Sequence, residues 1–176
     1  MKKLILVSML VLTGCGSEPE DSLEKESLAM PTSEVTTELA ESELSPDEAK
    51  KFATDLLQKI DDDEQAVRAA YEQKDTASLD RYSTETLVYI NPNPNDMFDT
   101  YWIDSDVLDP YVKCDTALRD LYIYTGSLSM QLKNDTESLR DIAKKEEQDY
   151  IQSKTQCEDR VAMSYEEAKQ ADEKES

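Results

Sequence analysis

The most abundant residues able to do chemistry in this sequence are carboxylates: 40 of its 176 residues are Asp or Glu. Two carboxylates at the right separation can act as general acid and base, and several together can bind a cation. The densest group is Asp61-Asp62-Asp63-Glu64, within a predicted helix. Consecutive helix positions point in different directions, and the run lacks the glycine and alternation of an EF-hand loop. We therefore expect a solvated helix face there, and we assign no catalytic, cofactor-binding or metal-binding residue.

Other catalytic residue types are missing or lack the spacing that catalysis needs. The chain has no histidine, which removes Ser-His-Asp and Cys-His catalysis and imidazole metal ligands. Of three glycines, Gly14 and Gly16 flank Cys15, so Gly126 alone is left for the rest of the chain. A glycine-rich phosphate loop cannot be built from one glycine. The sequence therefore predicts a protein that is not an enzyme and takes no cofactor.

The N-terminus has the pattern of an export signal. Met1-Lys2-Lys3 is followed by an apolar run, residues 4–12, which a single serine interrupts. A helix of this length measures about 14 Å, less than half of a bilayer core of about 30 Å, and is therefore typical of a secretory signal rather than a membrane span. The next residues, Leu12-Thr13-Gly14-Cys15, resemble the lipobox of bacterial lipoproteins. That resemblance covers the signal region alone.

The lipobox resemblance implies a processing route and a location. It implies removal of residues 1–14 as a signal peptide, acylation of the Cys15 sulfur, and stable anchoring by two or three acyl chains. Gly16 and Ser17 follow the cysteine where an aspartate would retain the protein, which in Gram-negative bacteria of the enteric type resembles cargo for the outer membrane. We therefore expect a lipid-anchored protein of the cell envelope, on the outer membrane facing the periplasm in such a host. An ordinary secretory signal is the alternative.

The expected mature chain is strongly acidic. Loss of residues 1–14 removes Lys2 and Lys3 and changes the net charge from −21 to −23. Nucleic-acid binding needs basic patches and is excluded, whereas a basic protein partner is electrostatically favoured. Residues 15–44 hold nine acidic residues against one lysine and few apolar ones, which predicts a disordered tether behind the lipidated cysteine.

Two further cysteines, Cys114 and Cys157, are placed symmetrically about a polar segment. Their midpoint falls between Asp135 and Thr136, in a segment that predicts a turn. In an antiparallel helical hairpin, residues equidistant from the turn face one another, and both cysteines lie on apolar stripes. An oxidising compartment then favours a structural disulfide. A redox-active pair is the alternative, which the absence of a Cys-x-x-Cys spacing disfavours.

Helical signals recur through residues 45–170. Ser45-Pro46-Asp47-Glu48 has the pattern of a capping box and predicts a helix that runs to about Lys74. Residues 76–90 have the spacing of a second helix, Asp109-Pro110 begins a third, and Thr136 can cap a fourth.

These signals predict an all-α domain of three or four helices packed up and down, with a disulfide-linked C-terminal hairpin. The last residues, 171–176, belong to a nearly all-polar tail that begins at Glu166, and we expect this tail to fray.

The segment 87–103 is the least determined by its sequence. It can form a helix followed by a loop, or a hairpin, because β-branched and aromatic residues precede the proline-rich break Asn91–Asp96. Aromatic residues cluster around this break, and Tyr and Trp are enriched at binding hot spots. We therefore mark four residues as candidate partner contacts: Tyr89, Phe98, Tyr101 and Trp102. Tyrosines that fill the core of a small bundle are the alternative interpretation.

Three functions are compatible with these features. The acidic charge, the tether and the missing catalytic residues favour a protein-interaction module that binds or neutralises a basic, envelope-targeting protein. A structural or assembly lipoprotein of the cell envelope is the alternative. An envelope hydrolase is third and has no sequence feature in its favour. The oligomeric state is left open.

Overall fold

The computed structural model describes residues 44–92, 101–102 and 105–175, which lie in one compact unit, Ala40–Ser176. These residues form five α-helices, one short 3-10 helix and no strand. The all-α bundle with its disulfide-linked hairpin is therefore confirmed. The elements in chain order are α1 (Pro46–Glu72), α2 (Thr76–Ile90), the 3-10 helix (Asp109–Tyr111), α3 (Val112–Lys133), α4 (Glu137–Ala162) and α5 (Tyr165–Glu175).

Several predictions made for the ends of the chain and for its middle loop lie outside the described residues. These are the signal peptide 1–14, the lipidated Cys15, the tether up to residue 43, the proline-rich break beyond Pro92, and Phe98.

The capping box that opens α1 is present as predicted. The Ser45 hydroxyl accepts the Glu48 backbone N–H, and the Glu48 carboxylate accepts the Ser45 N–H at 2.9 Å. Leu44, which the sequence prediction assigned to the tether, is half-buried and packs against the core. At the other end, Lys74 has a φ of 56°, a left-handed conformation that turns the chain sharply into α2.

The second helix continues through the segment that could have been a strand. Residues 87–90 are helical, so the hairpin alternative is wrong for this segment. The buried residues Leu79, Thr86 and Ile90 lie at positions i, i+7 and i+11, on one face of the helix. Their burial outweighs the β-propensity of the individual side chains, which depends on context.

The third helix is central to the bundle and packs against α1, α2 and α4. Its fully buried residues include Leu118 and Leu121, which belong to the same core cluster as Leu56, Ile60 and Val67 of α1. Because α3 has neighbours on three sides, its buried positions cover a wide face that also includes Thr125, Ser127 and Ser129.

The register of the α3–α4 hairpin is the predicted one. Cys114 and Cys157 form a disulfide, with their Cα atoms 4.7 Å apart and both side chains fully buried. Tyr124 and Glu147 are likewise equidistant from the turn, and the Tyr124 hydroxyl donates to the Glu147 carboxylate at 3.2 Å. Thr136 caps α4 by accepting the Leu139 N–H. The prediction of a disulfide between these cysteines is confirmed.

The polar C-terminal tail does not fray as predicted. The chain forms α5 through Glu175, beyond the expected domain end at residue 170. Ala168 on this helix is fully buried, and its carbonyl accepts a 2.7 Å hydrogen bond from the buried Arg160 guanidinium. The same guanidinium forms an ion pair with Glu175 at 2.7 Å. The bonds of Arg160 therefore add to the apolar contacts of Tyr165 and Ala168 in holding α5, and these two positions are too few to form an apolar stripe in the sequence.

Candidate functional site

Four aromatic side chains form a cluster where α1, the end of α2 and the segment before α3 meet. This aromatic cluster consists of Phe52, Tyr89, Tyr101 and Trp102. The Phe52 and Trp102 rings meet edge to face with centroids 5.5 Å apart, and the Tyr89 and Tyr101 rings lie 4.8 Å apart. Such pairs add packing energy beyond the area they bury, so the cluster ties the segment at 101–102 to the bundle.

Tyr101 is further fixed through its hydroxyl. It donates to the Asp115 carboxylate at 2.6 Å, and Asp115 also accepts from the Arg119 guanidinium at 2.9 and 3.0 Å. Burial and the neighbouring carboxylate raise the pKa of Tyr101 far above its usual value. The phenol therefore stays protonated and donates this hydrogen bond, which links Tyr101 to α3.

The other side of the aromatic cluster opens onto solvent. Tyr89 is 39% exposed, and the two residues before it, Leu87 and Val88, are 50% and 59% exposed. These three side chains point in different directions around the solvent-facing half of α2, and apolar side chains that adjoin polar groups there are candidates for an interaction surface. Leu87, Val88 and Tyr89 are called the α2 edge below.

A lysine already contacts the exposed tyrosine. The Lys59 ammonium lies 5.1 Å from the centroid of the Tyr89 ring and is bonded to the Asp63 carboxylate. Asp63 also accepts a 3.0 Å hydrogen bond from the Tyr82 hydroxyl. Burial and the charge of Asp63 raise the pKa of Tyr89. A ring face beside a carboxylate is suited to bind an organic cation.

The acidic run in α1 is not the solvated face that its sequence predicted. The Lys154 ammonium, from α4, lies 2.6 Å from Asp61 and 2.7 Å from Glu64. Glu64 also accepts from the Tyr150 hydroxyl and from Arg68, each at 2.7 Å. This ion network, Asp61, Glu64, Arg68, Tyr150 and Lys154, bonds α1 to α4.

The positions of the carboxylates on α1 explain why two of them share one cation. Consecutive carboxylates point apart, but Asp61 and Glu64 are three positions apart and therefore lie on the same side of α1. Lys154 bonds to both carboxylates, although it is 90 positions farther along the chain than Glu64. Only the packing of α4 on α1 brings these groups together.

The hydrogen bonds that Glu64 accepts limit the reactions in which the ion network could take part. Burial raises the pKa of Glu64, but hydrogen bonds from Lys154, Tyr150 and Arg68 outweigh this effect and lower it to about 2. The carboxyl group is therefore ionised at neutral pH and has no proton to donate as a general acid. Its oxygens are engaged by the protein's own donors, which indicates a structural role.

A groove of about 290 Å³ lies next to this network, between α1, α3 and α4. Its polar groups largely bond one another: Gln131 donates to the Tyr71 hydroxyl at 3.1 Å, and Arg68 lies 3.7 Å from Glu147. Burial and the carboxylate of Glu147 raise the pKa of Tyr124, which also lines the groove. The two tyrosine hydroxyls of the groove are hydrogen-bonded within it, Tyr71 to Gln131 and Tyr124 to Glu147.

The predicted contact residues are therefore partly brought together. Tyr89, Tyr101 and Trp102 lie in one cluster, whereas Phe98 is outside the described residues. Sequence reasoning missed the α1 contribution of Phe52, Lys59 and Asp63. Their spacing of i, i+7 and i+11 placed them on one helix face and could have grouped them, but not beside Tyr89.

Within residues 44–92, 101–102 and 105–175, no group of three or more Cys, Asp or Glu is placed to hold a metal ion. In the same ranges, every helix is too short or too polar to cross a bilayer. Comparisons of the chain with protein-family models, with curated proteins and with solved structures found no match.

Proposed function

We propose that this protein is a lipid-anchored interaction module of the cell envelope that binds a basic partner protein through the aromatic cluster and the α2 edge. The observation that carries this proposal is the exposed α2 edge, which adjoins a packed set of aromatic rings and includes a ring that already contacts a cation. Tyr and Trp anchors with aliphatic neighbours are the composition of binding hot spots.

The charge of the chain supports a basic partner. A net charge of −21, or −23 after removal of the signal peptide, attracts cationic proteins over several ångströms and speeds their encounter. Apolar burial at the α2 edge then slows dissociation. A cationic protein that attacks the envelope fits both requirements, so neutralisation of such a protein is the role we infer for the complex.

The anchor is proposed from the lipobox. Acylated Cys15, followed by an acidic segment, holds the domain at a membrane surface, where it meets proteins that enter the envelope. Replacing Cys15→Ser is expected to abolish incorporation of labelled fatty acid and to release the protein from the membrane fraction. Labelling that persists in the Cys15→Ser protein contradicts this assignment.

The binding proposal is tested by affinity capture. The mature chain carrying Cys15→Ser, with its disulfide intact, is immobilised, offered envelope extract and culture supernatant, and eluted with a salt gradient. We expect one basic protein to elute at moderate salt. Because rim charges are screened by salt whereas apolar contacts are not, its elution reports the electrostatic share of the binding.

A matched pair of variants locates the contact. Leu87→Ser with Val88→Ser removes the aliphatic part of the α2 edge, and Ile142→Ser with Ile151→Ser removes two comparably exposed side chains from α4. The captured protein should be lost in the first variant and retained in the second. Retention by both variants, or a column that captures no basic protein, contradicts the proposal.

A further inference from the structure

We propose that Lys59 occupies, within the free protein, the site that receives an arginine side chain of the partner. The site consists of the Tyr89 ring and the Asp63 carboxylate. On binding, the partner's guanidinium takes the place of the Lys59 ammonium, which moves into solvent. This inference rests on the proposed function, since it specifies which chemical group of a basic partner is recognised.

The site is built by two helices and does not depend on Lys59 for its shape. Asp63 is 20% exposed and is positioned by the Tyr82 hydroxyl of α2 at 3.0 Å. Tyr89 is positioned by its ring contact with Tyr101, at 4.8 Å between centroids. Both recognition groups are therefore in place whichever cation lies between them.

Lys59 is held weakly compared with the lysine of the ion network. Its side chain is 33% exposed, and its ion-pair partner is Asp63, four positions along the same helix. An ion pair between residues four apart on one helix contributes little to stability, because the long side chain loses entropy and solvent screens the part of the pair that it reaches. Lys154, in contrast, lies between Asp61 and Glu64 of another helix.

The chemistry of a ring beside a carboxylate favours a guanidinium over a second ammonium. An arginine side chain is planar, stacks on a tyrosine ring and donates in the same plane to a carboxylate. Lys59 meets the ring from 5.1 Å as a point charge. An arginine can therefore make both contacts more fully than the lysine it replaces.

The test uses hexaarginine as the probe and the mature chain carrying Cys15→Ser as the background. Lys59→Met empties the proposed site. Lys51→Met is the matched control, because Lys51 pairs with Asp55 at the same spacing on the same helix and its loss changes the net charge equally. Binding is measured by NMR titration at constant salt, with the Tyr89 ring protons as the local reporter.

We expect Lys59→Met to bind hexaarginine roughly threefold to tenfold more tightly than Lys51→Met, with the Tyr89 signals shifting on titration. Lys59→Arg, which refills the site, should bind as weakly as the parent. Equal affinities of the two methionine variants, or tighter binding that leaves the Tyr89 signals unmoved, would overturn the inference.

The outcome is separable from that of the proposed function. If Lys59→Met behaves like its control while the Leu87→Ser, Val88→Ser protein loses the captured partner, the α2 edge is the contact but the arginine site is not. If capture finds no basic protein although hexaarginine binds the emptied site, the proposed function fails and the cation site stands.

Discussion

The ion network between α1 and α4 and the aromatic cluster beside the α2 edge both use a lysine bonded to carboxylates of α1, yet they differ in how completely those groups are satisfied. Lys154 is 19% exposed and lies between Asp61 and Glu64, where Tyr150 and Arg68 supply further donors. Lys59 has one carboxylate and the face of a ring. The ammonium group of Lys154 is thus part of the scaffold, whereas that of Lys59 can be replaced by a partner's cation in the proposed complex.

This difference separates the polar groups of an acidic protein that are available to a partner from those that are bonded within the fold. In the ion network, the protein's own donors engage the carboxylates, and the packing of two helices excludes a competitor. At the aromatic cluster, Tyr89 and two aliphatic side chains of α2 remain partly exposed to solvent. Charge alone therefore does not mark the proposed binding surface, because Asp61 and Glu64 of the acidic run bond to α4, whereas Asp63 of the same run bonds to Lys59 beside Tyr89.

The largest effect is expected where α4 is held in place. Cys114→Ala with Cys157→Ala removes the link that fixes α4 against α3. The chain-entropy model predicts a loss of about 4 kcal/mol in the free energy of unfolding for a loop of this size. Urea unfolding of the variant and the parent measures it. A loss of less than about 1 kcal/mol would show that helix packing holds α4 in place without the disulfide.

The next effect tests the ion network itself. Lys154→Met leaves Asp61 and Glu64 without their shared cation, and we expect a loss of about 2 kcal/mol, below that for a fully buried pair because Lys154 keeps some solvent contact. Lys145→Met breaks an exposed pair with Asp149 on the same helix and should cost at most about 0.5 kcal/mol. Equal losses of unfolding free energy in denaturant titrations would show that Lys154 contributes no more to stability than the exposed Lys145.

Acid should weaken the ion network in a defined direction. The pKa of Glu64 is lowered to about 2 in the folded protein, from a usual value of 4.5. Its contribution is therefore complete above about pH 5 and is lost as the pH falls toward 2, because the unfolded chain takes up the proton first. The unfolding free energy of the parent should fall more steeply below about pH 5 than that of Glu64→Gln. Parallel pH profiles would mean that Glu64 is not stabilised in the fold.

The smallest effect on stability is expected at the α2 edge. Leu87→Ser with Val88→Ser alters side chains that are mostly in water, so the unfolding free energy should change by no more than about 0.5 kcal/mol per site. The same variant is expected to abolish capture of the basic protein. A large loss of stability would instead assign these residues to the core and remove the contrast between the two regions.

Local signals in the sequence determined much of the scaffold. The capping box at Ser45 and Glu48 and the helical spacing of the apolar residues follow from interactions within a few residues. The pairing of Cys114 with Cys157 follows from their equal distances from one turn. Such features can be predicted because the chain itself sets their geometry.

Tertiary structure decided what the polar residues do. Lys154 meets Glu64 from 90 positions away, Arg160 holds the polar helix α5 through Ala168 and Glu175, and Lys59 meets the Tyr89 ring across two helices. Forty carboxylates offer many equivalent partners in the sequence. Only the packing of the helices selects among them, because charges interact strongly at a few ångströms and are screened by water and salt beyond that distance.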